Sequence, residues 1–245
     1  MRRAAVSVAL LACVLGLALL APPRAALAVS GHVTNISGAV IARGPSGTSR
    51  LLSIRSEVNE GDVVITADNS YARVKFTDGG EVVLRPGSQI KIDAYSYEDN
   101  SPDRDGFVLS LLKGGMRSVT GVLARRNPGR ANYTTPTATI GIRGTHFGAL
   151  VCNNDCAGVP SPTGSPPANG LHVDVADGRI VVTSAAGTLE FSVGQFGYVA
   201  SPAVAPVSVP ASQGIRAALP PQAIVATISG GAGVGRAGEL ECVIR

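Results

Sequence analysis

The sequence predicts an all-β protein, a solenoid-like stack of short strands and hairpins in a single main domain. Three observations lead there. Apolar and polar residues alternate over many short segments. Glycine (30) and proline (16) punctuate those segments every few residues. No stretch keeps a convincing 3.6-residue apolar period, apart from a faint trace in "SQGIRAAL". With 245 residues, 45% of them hydrophobic, the chain can bury a substantial core, although aromatics make up only 4% and tryptophan is absent.

The opening 28 residues read as a signal peptide. "MRR" is a positive n-region, an apolar run follows, and Ala26-Leu27-Ala28 forms a small-x-small cleavage site. The rival readings are an uncleaved anchor over residues 4–21, just long enough to span a bilayer, and a lipid-bearing Cys13. The Pro22-Pro23 break favours cleavage before Val29, and the apolar run continuing past Cys13 weakens the lipid reading. The expected location is therefore the periplasm or the exterior. Loss of Arg2, Arg3 and Arg24 with the signal lowers the formal net charge from +4 to +1, which leaves no electrostatic footprint for nucleic acid. No later segment is apolar enough to span a membrane.

The β domain is expected over residues 29–200. "GHVTNISGAVIARG" supplies two candidate strands, and "EVNEGDVVIT" a third around a Gly61-Asp62 turn. In "YARVKFTDGGEVVL", Ala72, Val74 and Phe76 alternate with Arg73, Lys75 and Thr77. Asp78-Gly79 turns the chain, and Val82 and Leu84 return, which predicts a β-hairpin. Ile90 and Ile92 continue the pattern after Pro86-Gly87. Phe107, Leu109 and Leu111 form a further strand, which Gly114-Gly115 is expected to end as a turn. "ARRNPGR" reads as a loop whose Arg125, Arg126 and Arg130 are solvated. "AGVPSPTGSPPANG" is a surface insertion, and strands resume from Leu171 to about Val199. From Ser201 to Arg245 the Ala/Pro/Val/Ser/Gly composition reads as tail, with "GELECVIR" as one possible docked strand.

Chemistry-bearing residues are scattered. His32, His146 and His172 stand apart, no nucleophile elbow or phosphate loop is framed, and the turn aspartates are explained by their own backbone hydrogen bonds. No catalytic residue, metal ligand or cofactor is assigned. The close pair in "CNNDC" is expected to form a Cys152–Cys156 disulfide in an oxidising compartment, with Cys242 outside it.

Four stretches in order, "GAVIAR", "EGDVVITADNSYARVKFTDGGEVVLRPGSQIKID", "LLKGGMRSVTG" and "YTTPTATIGIRGTHF", resemble the FecR domain, with "VDVADGRIVVTSAAGTLEFSVGQFGYV" similar to its closing strands. The resemblance implies a solenoid-like β module outside the cytoplasm. Its signature residues here are Gly61, Asp62, Asp78, Gly79, Gly141, Arg143, Gly144 and Thr145. The signalling members place an anti-sigma segment and a membrane helix before this module. This chain shows a signal peptide in their place, so the sigma-factor circuit is not carried over. The expected role is a non-catalytic exported module that binds an envelope protein. A polysaccharide binder is the alternative, and a β-helix enzyme acting on polysaccharide lacks a constellation to support it. Arg143 alternates with Ile140 and Ile142, and flanking glycines leave room beside it. It is expected to be a buried strut on turn carbonyls or on Asp62 or Asp78, the alternative being a surface anion site.

Overall fold

The computed structural model describes residues 29–217. The alternation becomes strands β1 Val29–Ser37, β2 Val40–Arg43, β3 Ser49–Leu51, β4 Glu57–Asn59, β5 Val63–Thr66, β6 Tyr71–Phe76, β7 Glu81–Leu84, β8 Gln89–Ser96, β9 Gly106–Val119, β10 Ala131–Thr134, β11 Thr139–Ile142, β12 His146–Cys152, β13 Gly170–Asp177, β14 Arg179–Ser184, β15 Gly187–Ser192, β16 Phe196–Val199 and β17 Val207–Val209. A short α-helix, α1 Val122–Arg126, and two 3-10 turns, Pro102–Arg104 and Pro128–Arg130, interrupt them. The fold is all-β, and the seventeen strands form one hydrogen-bonded sheet that is not closed.

That sheet is folded into two layers. The first runs β4-β1-β6-β7-β9-β12-β13-β16-β17, antiparallel throughout. The second runs β3-β2-β5-β8-β9-β10-β11-β14-β15, antiparallel except for the β9–β10 pair. Strand β9 belongs to both. Its first half, to Lys113, pairs with β8, and its second half, from Gly114, with β7 and β12. The expected Gly114-Gly115 turn is therefore a bend inside one long strand. Gly114 has φ +73°, and a Cβ there would lie 2.5 Å from Ser88 Oγ, so only glycine lets the strand pass between layers. Ser88 Oγ ties the bend down by donating to Gly115 O and accepting from Gly115 N–H, both at 2.9 Å.

The inward residues of both layers make one core. Phe76 and Phe147 from the first layer meet Tyr95, Phe107 and Tyr133 from the second in a chain of ring contacts at 5.0–5.4 Å. Half of the chain's five phenylalanines and five tyrosines are thus spent between the layers. The Asp78-Gly79 hairpin forms as the alternation requires, with Ala72 opposite Leu84 and Val74 opposite Val82.

Residues 201–217, the described part of the expected tail, differ from a pendant tail. Strand β17 pairs with β16, and residues 214–217 lie against the outer surface of the first layer. Ile215 is buried there with Leu150, Cys152 and Cys156. Alternation does not mark residues 214–217 because they cover a sheet face, whereas β17 extends the sheet by three residues. Residues 1–28, expected to be a signal peptide and including Cys13, lie outside the described residues, as do Cys242 and "GELECVIR".

Candidate functional site

The signature residues fall at corners of the fold and mostly serve as clasps. Gly61 adopts φ +85° in the turn before β5. The Asp62 carboxylate beside it is buried and accepts from Arg50 Nη1 at 3.0 Å, Arg50 Nη2 at 2.5 Å and Asn59 N–H at 2.9 Å. This holds β3, β4 and β5 together. Asp78 caps its own turn by accepting from Gly80 N–H at 2.9 Å, and reaches Leu123 N–H at 3.3 Å at the start of α1. Its own N–H donates to Tyr95 Oη at 2.9 Å. Gly79 turns the hairpin at φ +81°. Gly141 sits in β11 opposite Asn132. Gly144 has φ +63°, and buried Thr145 exchanges hydrogen bonds with Thr120, 2.8 Å from Thr145 N–H to Thr120 Oγ1 and 3.0 Å from Thr120 N–H to Thr145 O.

Arg143 is not the buried strut. Its side chain is exposed beside a shallow groove with Asn132 and Val181, and neither Asp62 nor Asp78 is its partner. The face opposite Ile140 and Ile142 is simply open to solvent at that point. Other arginines carry the strut role. Arg117 on β9 and Asp174 on β13 form a buried ion pair, with side chains 7% and 3% exposed. Gly148 of β12 lies between them in register, opposite Arg117 on one side and Asp174 on the other. A Cβ on Gly148 would stand 2.2 Å from Asp174 Oδ1, so the pair closes only across a glycine. Asp174 Oδ1 also accepts Ala217 N–H at 3.0 Å, which pins the 214–217 segment over the pair.

Arg126 is a second strut, and this corrects its reading as solvated loop charge. It pairs through Nε and Nη2 with buried Asp105 at 2.5 and 2.7 Å, donates to the Glu98 and Asp99 carbonyls, and lies 4.7 Å over the Tyr97 ring. The pairing with Arg126 holds the Asp105 carboxyl below the usual aspartate range. Arg130 donates to Asp103 O, while Arg125 stays exposed. The signal for these pairs is visible in part. Asp174 interrupts the apolar run "LHVDV" and Arg117 the run "MRSV". Their partnership is not visible, since it crosses three strands.

The histidines do not converge. His32 is exposed. His146 is half-buried beside Arg117, and burial, then the Arg117 charge, pushes its pKa down. His172 donates from Nε2 to Ala168 O at 2.8 Å and stacks near Tyr198, and burial lowers its pKa. Among the described residues no group of His, Cys, Asp and Glu could hold a metal ion. Cys152 and Cys156 are joined as expected.

Next to that disulfide opens a groove of about 570 Å³. Its walls come from the β6 and β7 ends (Tyr71, Arg85), the β9 bend (Lys113) and the β12 end with its following loop (Leu150, Asp155, Val159). The volume lies in the range of small-molecule sites, and the walls mix polar and apolar groups.

The described residues thus form an all-β, two-layered frame with charged clasps at its corners and a groove of mixed polar and apolar lining beside the disulfide. Residues 62–181 match the family model described as FecR protein, so the chain carries a FecR domain over that stretch. No curated protein matches the chain. Among solved structures, two crystal structures of a candidate anti-sigma factor from Parabacteroides distasonis ATCC 8503 are similar at 14% identity and TM-score 0.44, covering 69% of this chain and 65% and 64% of theirs. The chain thus spans just under two thirds of that protein's length. A structure described as a cell surface anchoring domain is similar at 25% identity and TM-score 0.28, over 30% of this chain and 99% of its own. Among the described residues no helix is long and apolar enough to cross a membrane.

Proposed function

We propose that this protein is an exported, non-catalytic FecR module that binds a protein partner in the cell envelope and acts in regulation or assembly. The FecR domain over residues 62–181 carries the reading. Two features support it. The motif carboxylates Asp62 and Asp78 are tied up in holding strand corners, and the groove beside the disulfide leaves a formed surface for a ligand. The passage of the chain back and forth between two layers supports a solenoid-like description of the stack. Export rests on the signal-like residues 1–28 and accords with the disulfide, which persists in oxidising compartments.

The test is affinity capture from envelope extract with the tagged protein, beside sedimentation with isolated cell wall. A specific protein prey supports the reading, and retention by cell wall without protein prey replaces it with polysaccharide binding. Intact-mass measurement of the exported chain should give a first residue Val29. A retained leader or a lipid on Cys13 overturns the assignment as a free exported module.

A further inference from the structure

Arg85 is a half-buried cation without a carboxylate partner among the described residues. It leaves β7 on the outer face of the first layer, its N–H donating to Gly115 O at 2.9 Å. A Cβ on Gly115 would meet Arg85 Cδ at 3.0 Å, so that glycine lets the arginine stem lie down across the β9 bend. The guanidinium ends up half-buried in the groove wall. Its Nε is shielded from solvent yet makes no hydrogen bond, and no carboxylate pairs with it among the described residues. A shielded arginine nitrogen without an acceptor is costly to keep. Burial pushes this guanidinium below the usual arginine range, a strain an anion would relieve.

The other groups in the groove narrow the choice of anion. Lys113 is already engaged with Asp155 at 3.6 Å, and Asp68 is the remaining carboxylate in the lining. Arg85 and Lys113 against Asp68 and Asp155 leave the groove formally neutral. One added negative charge is tolerated more easily than the two of a phosphate dianion. Arginine's planar fork also matches a carboxylate through two parallel hydrogen bonds. Leu150, Val159, Pro86 and Pro160 are also in the lining and offer apolar surface that would cover a hydrocarbon body.

We propose that this groove binds a carboxylate carried on an apolar body, with the Arg85 guanidinium as its anchor. The free acid of a small molecule and the C-terminal residue of a peptide chain share this chemistry. The proposal rests on the groove belonging to the binding surface inferred above.

The experiment follows the arginine Nε–Hε resonances of the purified protein by NMR during titration. The probes are N-acetylleucine, N-acetylleucinamide, a hexapeptide ending in leucine with a free or an amidated terminus, and inorganic phosphate. The Arg85 resonance, assigned by its loss in Arg85→Gln, should move with the acids and not with the amides. The acids should bind about tenfold or more tightly than their amides. Tighter binding by the peptide acid assigns the ligand to a chain terminus, and equal binding by N-acetylleucine to a free acid. Equal response to acid and amide, no response to either, or a response to phosphate alone overturns the proposal. Should Arg85→Gln fail to fold, the acid–amide contrast on the unmodified protein decides alone. Loss of that contrast leaves protein capture from envelope extract untouched, so the two readings fail separately.

Discussion

Replacing Asp174 by leucine should cost this protein about 3–5 kcal/mol, because it strands a buried arginine. The pair is almost fully out of water, with Arg117 7% and Asp174 3% exposed. Arg117 Nη2 donates to Asp174 Oδ2, and the buried Arg117 Nε has no acceptor among the described residues. Removal of the carboxylate therefore leaves a guanidinium with no counter-charge in a site closed by residues 214–217. The same change takes the acceptor from Ala217 N–H. Asp174→Asn keeps an oxygen for that N–H and should cost less than leucine, while still leaving Arg117 unpaired. For a domain of this size, roughly 2–4 °C of melting temperature accompanies each kcal/mol, so Asp174→Leu should melt about 6–20 °C lower. Thermal unfolding by circular dichroism, with urea titration for free energies, is the assay. The double variant Arg117→Met/Asp174→Leu removes both charges together and should recover most of the loss. A drop below about 1 kcal/mol in Asp174→Leu, or a double variant no better than the single, would refute the claim that desolvated charge rather than lost packing sets the cost.

Arg143→Ala should change stability by less than about 0.5 kcal/mol, since the side chain is exposed; a large loss in urea titration would restore the strut reading. Ile215→Ala should cost about 2–5 kcal/mol through its buried contacts with Leu150 and the disulfide, and a chain cut before Ser201 should melt lower than the parent. Equal melting of the cut and parent chains would return that stretch to the status of tail. Lowering pH should destabilise the fold. His146 and His172 have folded pKa values below their unfolded ones, so the unfolded chain binds more protons in acid, and the stability present above about pH 6.5 is lost as pH falls further. Melting temperatures of the parent against His146→Gln and His172→Gln between pH 5 and 8 check this, and the variants should show the flatter profiles.

What could be read in advance follows from range in the chain. The β6–β7 hairpin was legible because alternation and Asp78-Gly79 act within a dozen residues. The disulfide was legible for the same reason. The Gly114-Gly115 pair shows the limit. Two glycines announce an unusual backbone, yet whether the chain reverses or bends between layers depends on which strands wait on either side. Here they are β8 on one layer and β7 and β12 on the other.

The arginines carry the argument further. Arg117 and Arg143 both occupy outward positions of strands or their ends, by an alternation that holds in both cases. One is buried and the other exposed, because alternation assigns a residue to a face and says nothing of what later covers that face. Cover over Arg117 comes from residues 214–217, about a hundred positions downstream, and from Asp174 reaching across Gly148. None of these is a neighbour in sequence. The glycine is the one local trace of the arrangement, since only a residue without a side chain could let an arginine and an aspartate from flanking strands meet above it. In a two-layered fold with the outer face partly roofed by its own chain, a glycine in mid-strand opposite a charged residue marks where a buried ion pair can form. By the same reasoning Gly115, which makes room for the stem of Arg85, marks a cation laid down on the sheet. The difference is that Arg117 has its carboxylate within the described chain, whereas the groove around Arg85 leaves that place for a ligand.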